Sequence, residues 1–157
     1  MATHLKNLSK TNLKSNTLFA KCKIGIAVAE WNSEITFSMR DAAIDFFKKS
    51  GVKEKNISIK NVPGAFELPF AAQQLANNKK IDGVITLGCV IQGETKHFDF
   101  ISQACANGIM MVGLESKKPV IFGVLTTDNL SQAKARSGGK HGNKGIEAAE
   151  TLLKMLK

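Results

Sequence analysis

The hydrophobic pattern changes period several times along the chain, and each change marks a new element. The run "KIGIAVAE" at residues 23–30 is apolar without alternation, which predicts a strand covered on both faces. Behind it Ile35, Met39, Ala42 and Phe46 recur at helical spacing, and Gly51 stands where such a helix would stop. "NISIKNV" predicts a second strand. "ELPFAAQQLA" predicts a second helix, with Pro69 in its first turn, where a missing N–H costs little. "GVITLGCVI" is a continuous apolar run, as expected of a central parallel strand, and Phe98, Ile101, Cys105 and Val112 after it share one helical face. "PVIFGVLT" predicts a fourth strand and "NLSQAKA" a short helix, while Ile146, Ala149, Leu153 and Leu156 form the core stripe of a terminal helix. Strands alternating with helices predict a layered α/β domain with a parallel sheet and right-handed crossovers.

Composition adds limits to this picture. A chain of 157 residues can bury the core of one ordinary domain without staples. No apolar run is long enough to span a bilayer and no apolar leader opens the chain, which predicts a cytoplasmic protein with no membrane partner. Cys22, Cys89 and Cys105 form no CxxC pair, and no histidine stands at metal-ligand spacing from them, so reduced thiols and no metal are expected. The net charge of +9 suggests nucleic acid until it is located: residues 1–23 hold five lysines and no acid, leaving +4 for the rest. With Arg40 and Arg136 the only arginines and no recognition motif, a solvated lysine-rich surface accounts for the charge, and no nucleic-acid partner is expected. Residues 1–20 read as a tail and 21–157 as one domain.

In a parallel α/β sheet, ligands sit outside the carboxyl ends of the strands, where helix N-termini offer N–H groups and partial positive charge. The strand-to-helix junctions "EWNSE", "VPGAFE", "QGETKHF" and "TTD" carry special chemistry, whereas the opposite loops "KEKN" and "NNKK" are merely charged. Trp31, the only tryptophan, serves equally as a platform for a planar heterocycle or as a cap on the sheet. Pro63 and Gly64 predict a tight turn exposing the N–H groups of Ala65 and Phe66 beside Glu67, a corner that can hold hydroxyls; Glu67 also reads as a first-turn acid at the helix dipole. Gly93, Glu94 and Thr95 precede a helix and suggest an anion nest, with His97 one turn on to exchange protons near neutral pH. The glycine-rich "ARSGGKHGNKG" brings Arg136, Lys140, His141 and Lys144, either as a solvated basic loop or as a phosphate clamp. Neither a Walker A loop nor a GxGxxG turn is present. The residues alone thus suggest a planar ring, a polyol and a phosphate meeting at a histidine, without naming a reaction.

At these same junctions the sequence resembles the lumazine synthase family. The segments "AEWNSEIT", "VPGAFELPFAAQQLA", "GVITLGCVIQGETKHFDF", "PVIFGVLTTDN" and "ARSGGKHGNKGIEAA" occur in that family's order and spacing, from about residue 22 to the end. The resemblance implies a three-layer αβα sandwich with a central four-stranded parallel sheet, flavodoxin-like. It also implies a transferase activity, the condensation of 5-amino-6-(D-ribitylamino)uracil with 3,4-dihydroxy-2-butanone 4-phosphate, without cofactor or metal. By position, Trp31 matches the ring-stacking residue; Ala65, Phe66 and Glu67 the segment holding the ribityl chain; Cys89, Val90 and Ile91 the strand end reading the uracil edge. Glu94 and Thr95 match the phosphate turn, His97 the proton-transfer residue, Phe122 an apolar lid from a neighbouring subunit and Arg136 the phosphate clamp, with Lys144 near the ring carbonyls. A ring of five subunits is implied, free, as a decamer or as a 60-subunit shell, with "NTLFAK" the candidate strand for addition to a neighbour's sheet and riboflavin synthase a candidate partner.

Three positions depart from the family pattern. Gln92 stands where many relatives have arginine, Glu94 where a small residue is usual, and Trp31 where phenylalanine is commoner. The Glu94 carboxylate is expected to turn from the phosphate while its backbone N–H binds, and the larger Trp31 ring suits retention of riboflavin or lumazine. The alternative from another class is a flavin or lumazine carrier, or a shell protein, which would need the stacking ring but neither His97 nor Arg136.

Overall fold

The computed structural model describes residues 7, 9 and 16–156. Four parallel strands, β1 (Ile24–Ala29), β2 (Ile57–Val62), β3 (Gly83–Ile91) and β4 (Val120–Thr127), form one sheet in the order β2-β1-β3-β4. The chain runs outward from β1 to β2, then crosses back to β3, so β1 and β3 flank the switch point of a doubly wound sheet. Helices α1 (Ser33–Ser50) and α5 (Lys144–Met155) cover one face; α2 (Leu68–Asn77) and α3 (His97–Ser116) cover the other. This is the three-layer, flavodoxin-like αβα sandwich with a four-stranded parallel sheet that the resemblance implies.

Local chemistry explains the elements. All six residues of β1 are buried, as an apolar run without alternation requires. Helix α1 ends at Gly51, whose φ of 110° an L side chain rarely adopts. Its core stripe is Ile35, Met39, Ala43, Phe46 and Phe47 rather than one through Ala42, which is only half-buried. Sequestering a side chain such as Phe47 contributes about 1.5–3 kcal/mol. The C-terminus of α2 is closed from a distance: Lys118 Nζ donates to the carbonyls of Ala76 and Asn78 at 2.7 and 2.9 Å, placing a cation at the negative end of the helix.

Two segments differ from the sequence expectation. Residues Thr17–Lys21 of "NTLFAK" form a 3-10 turn rather than a strand, because Asn16 caps it by accepting from the Leu18 N–H and Phe19 inserts into the core of its own chain. Apart from residues 7, 9 and 16, the tail up to that turn lies outside the described residues. In the glycine-rich loop, after α4 (Leu130–Arg136), a small antiparallel pair forms from β5 (Ser137–Gly139) and β6 (Gly142–Asn143), with Gly138 and Gly142 at φ of 127° and 88°.

Candidate active site

A crevice of about 510 Å³ opens outside the carboxyl ends of β1 and β3. It is lined by Trp31 and Asn32 after β1, Gly64, Ala65, Phe66 and Glu67 after β2, Cys89, Val90 and Ile91 at the end of β3, and His97 and Ile101 on α3. Three junctions separated by tens of residues therefore converge at the switch point, where this topology places ligands. Trp31 and Phe66 remain 74% and 58% exposed, so two large aromatic surfaces face solvent at a site where burial elsewhere was available.

The turn after β2 is built as a polar corner. Residues Ala65–Glu67 form a 3-10 turn, and the Gly64 N–H donates to Glu67 Oε2 at 3.0 Å, so the carboxylate is anchored as a cap. The N–H groups of Ala65 and Phe66 open this turn, where a helix start leaves donors without internal acceptors. Glu67 thus has the local role of a first-turn acid and also lines the crevice. His97 begins α3 on an exposed turn, and its N–H donates to Thr95 Oγ1 at 3.3 Å, which gives Thr95 a capping role.

Other expected site residues are not gathered here. Glu94 and Thr95 lie in the exposed turn beside the crevice rather than in its wall. Phe122 is half-buried on the edge strand β4, packed with the cluster on the α2/α3 face. Arg136 and Lys144 flank the β5–β6 loop, which packs on α1 through the Ser38 hydroxyl donating to the Ser137 carbonyl at 2.6 Å. They are therefore on the α1/α5 side, across the sheet from Ala65–Glu67 and His97. Arg136 pairs with Glu147, its Nη2 donating to Oε2 at 2.9 Å and its Nη1 lying 2.7 Å from Oε1, and Nη1 donates to the His141 carbonyl, while Lys144 Nζ lies 3.5 Å from the same carboxylate. Glu147 was not singled out by the sequence, where it reads as an ordinary first-turn acid of α5. Gly64, expected as a turn residue, also lines the crevice, as do Asn32 and Ile101, which were not singled out as site residues.

Burial pushes the Cys89 thiol up to about 11 and that of Cys105 up to about 12, from an ordinary value of 9.0. Both are neutral thiols at pH 7, and Cys89 is a wall rather than a nucleophile. Since their folded values are raised, their contribution to stability is complete below pH 9 and is lost as pH rises toward 11–12. Urea midpoints should therefore fall more steeply above pH 9 in the parent protein than in the double variant Cys89→Ala, Cys105→Ala. Parallel pH profiles would contradict this. Among the described residues no helix is long and apolar enough to cross a membrane, and no group of three His, Cys, Asp or Glu is placed to hold a metal ion.

Comparison with known proteins bears on what the crevice holds. A family model described as 6,7-dimethyl-8-ribityllumazine synthase matches residues 21–157. A protein of that name from Cytophaga hutchinsonii is 55% identical over 156 residues, covering 99% of this chain and 98% of its own. Those from Porphyromonas gingivalis and Parabacteroides distasonis are 49% and 47% identical, each over 99% of this chain and over 96% and 98% of their own lengths.

Proposed function

Because the chain belongs to the 6,7-dimethyl-8-ribityllumazine synthase family, we propose that the crevice between the ends of β1 and β3 is where its two substrates meet. The enzyme condenses 5-amino-6-(D-ribitylamino)uracil with 3,4-dihydroxy-2-butanone 4-phosphate, giving 6,7-dimethyl-8-ribityllumazine and phosphate in the penultimate step of riboflavin biosynthesis. The amine must form a Schiff base with the ketone, phosphate must leave, and the ring must close with loss of water. Much of the acceleration comes from holding two reactants in register.

The observation that carries the site is the convergence of an exposed indole, a polar corner, a strand end and a histidine in one crevice. Trp31 stacks on the pyrimidine. The Ala65 and Phe66 N–H groups and the Glu67 carboxylate hold the ribityl hydroxyls, and the end of β3 at Cys89, Val90 and Ile91 meets the ring edge and reads it through free backbone groups. His97 moves protons during imine formation and phosphate loss. The Glu94 backbone, Thr95 and Arg136 hold the phosphate, and Lys144 meets the ring carbonyls.

This reading requires a second subunit. Arg136 and Lys144 are across the sheet from His97, so a neighbour's Arg136 completes the phosphate subsite and its Lys144 the ring subsite, together with the neighbour's Phe122 as lid. Phe70, Phe100, Met110, Met111 and Leu114 of the α2/α3 layer are all large and exposed in the single chain, which suits a face covered by another subunit. A ring of five is the minimal active unit, a decamer or 60-subunit shell its further assemblies, and the reaction is cytoplasmic. Riboflavin synthase, which consumes the product, is the protein partner.

Trp31 is the only tryptophan, so its fluorescence reports on the ring subsite alone. Titration with 6,7-dimethyl-8-ribityllumazine should quench it saturably, and inorganic phosphate should not. Product binding without any change in tryptophan emission would place the ring elsewhere.

A further inference from the structure

Asn32 is the N-cap of α1, yet its side chain makes no capping hydrogen bond. Its backbone is left-handed, φ 59° and ψ 45°, a conformation that asparagine tolerates better than most residues. The amide instead crosses to the neighbouring strand and donates to the Cys89 carbonyl at 3.0 Å. That carbonyl has lost its sheet partner. The pairing of β1 with β3 runs from Ile24 opposite Gly83 to Val28 opposite Leu87, and continuing the register would set Glu30 against Cys89. The chain has turned away by then, since the N–H groups of Glu30 and Trp31 donate to Val62 and Pro63 on the β2 side.

The same break leaves a reading edge. Gln92 N–H donates to the Thr127 carbonyl, so β3 turns Gln92 toward β4. Backbone groups alternate along a strand, which directs the N–H and C=O of Ile91 to the side that β1 has vacated, as those of Cys89 are. An adjacent donor and acceptor of this kind complement the N–H and C=O edge of a pyrimidinedione. Without Asn32, the Cys89 carbonyl would add a second, unpaired acceptor to that edge. Trp31 precedes Asn32 directly, so one side chain ties the stacking residue to the strand end.

We propose that Asn32 is a positioning residue for the ring substrate: its amide replaces the missing sheet partner at Cys89, fixes the spacing between Trp31 and β3, and leaves the Ile91 pair as the edge that selects a pyrimidinedione. The proposal rests on the crevice being the ring subsite. Two substitutions separate conformation from hydrogen bonding. Asn32→Gly keeps the left-handed backbone without the amide; Asn32→Asp keeps the shape but presents a carboxylate to a carbonyl. Steady-state kinetics on the intact assembly should show the KM for ribitylaminouracil raised by about tenfold in Asn32→Gly and further in Asn32→Asp. The KM for butanone phosphate should stay within about twofold, since the loss is confined to the ring. Product affinity read by Trp31 fluorescence should fall in parallel. An unchanged ring KM in both variants, or equal rises for both substrates, overturns the positioning role. Trp31→Ala separates the two levels: if its ring KM rises while that of the Asn32 variants does not, only the role of Asn32 fails. If it too is unchanged, the ring subsite itself is misplaced.

Discussion

Gly145→Ala is expected to destabilise the fold by about 3 kcal/mol or more, although alanine is ordinarily favoured over glycine in a helix by about 1 kcal/mol. The reason is the closeness of α1 and α5. A Cβ at Gly145 would run into the carbonyl oxygen of Met39 and lie 2.6 Å from its carbonyl carbon, and both atoms belong to backbone that cannot rotate away. Met39 is wholly buried, and the Gly145 N–H is held by Asn143 Oδ1 at 2.8 Å, so neither helix can give without losing core contacts. Urea denaturation should show a large drop in midpoint, whereas Gly93→Ala, which meets open space, should stay within about 0.5 kcal/mol of the parent. Equal midpoints for the two variants would show that α5 can shift at no cost.

Mixing two inactivated proteins should restore activity. His97→Ala is expected to lower turnover by up to roughly 10²- to 10⁴-fold. Arg136→Ala should lose at most about 1.5–3 kcal/mol of charge-assisted binding, the Glu147 carboxylate on the guanidinium lowering the net value, and the loss should be felt by butanone phosphate and not by ribitylaminouracil. If each site joins His97 of one subunit to Arg136 of the next, subunits unfolded together in equal amounts and reassembled into closed rings rebuild an intact pair at about a quarter of the interfaces. At low butanone phosphate, the refolded mixture should therefore reach about a quarter of parental activity. A mixture no better than the mean of its parents would place both groups in one chain or remove Arg136 from the phosphate. Sedimentation of a fully active monomer would contradict the shared site directly.

The strands and helices were legible because unbroken apolar runs and helical stripes have different periods, and Gly51 and Pro69 punctuate them as expected. Three of the four junctions named from the sequence meet at the crevice, because a parallel sheet puts strand-to-helix turns at one end. Asn32 escaped notice for a physical reason: an asparagine before a helix reads as a cap, and only the early departure of β1 from β3 sends its amide elsewhere. "NTLFAK" carries a strand-like composition, but a side-chain cap and one buried phenylalanine decide its conformation, and neither has a period. The partition of Arg136 and Lys144 from His97 was equally hidden, since facing sides of a sheet are not encoded by distance along the chain.

The carboxylate of Glu147 already holds Arg136 in the single chain, through one hydrogen bond and a second ion-pair contact, and stands close to Lys144. An anion arriving at that guanidinium does not meet a bare cation; it competes with a resident one. Its net gain is the difference between two charge-assisted pairs, which is smaller than either. If Arg136 holds the phosphate as proposed, such standing competition has a kinetic merit: phosphate freed by the reaction would have a rival waiting at that guanidinium, and the site would clear for the next turnover.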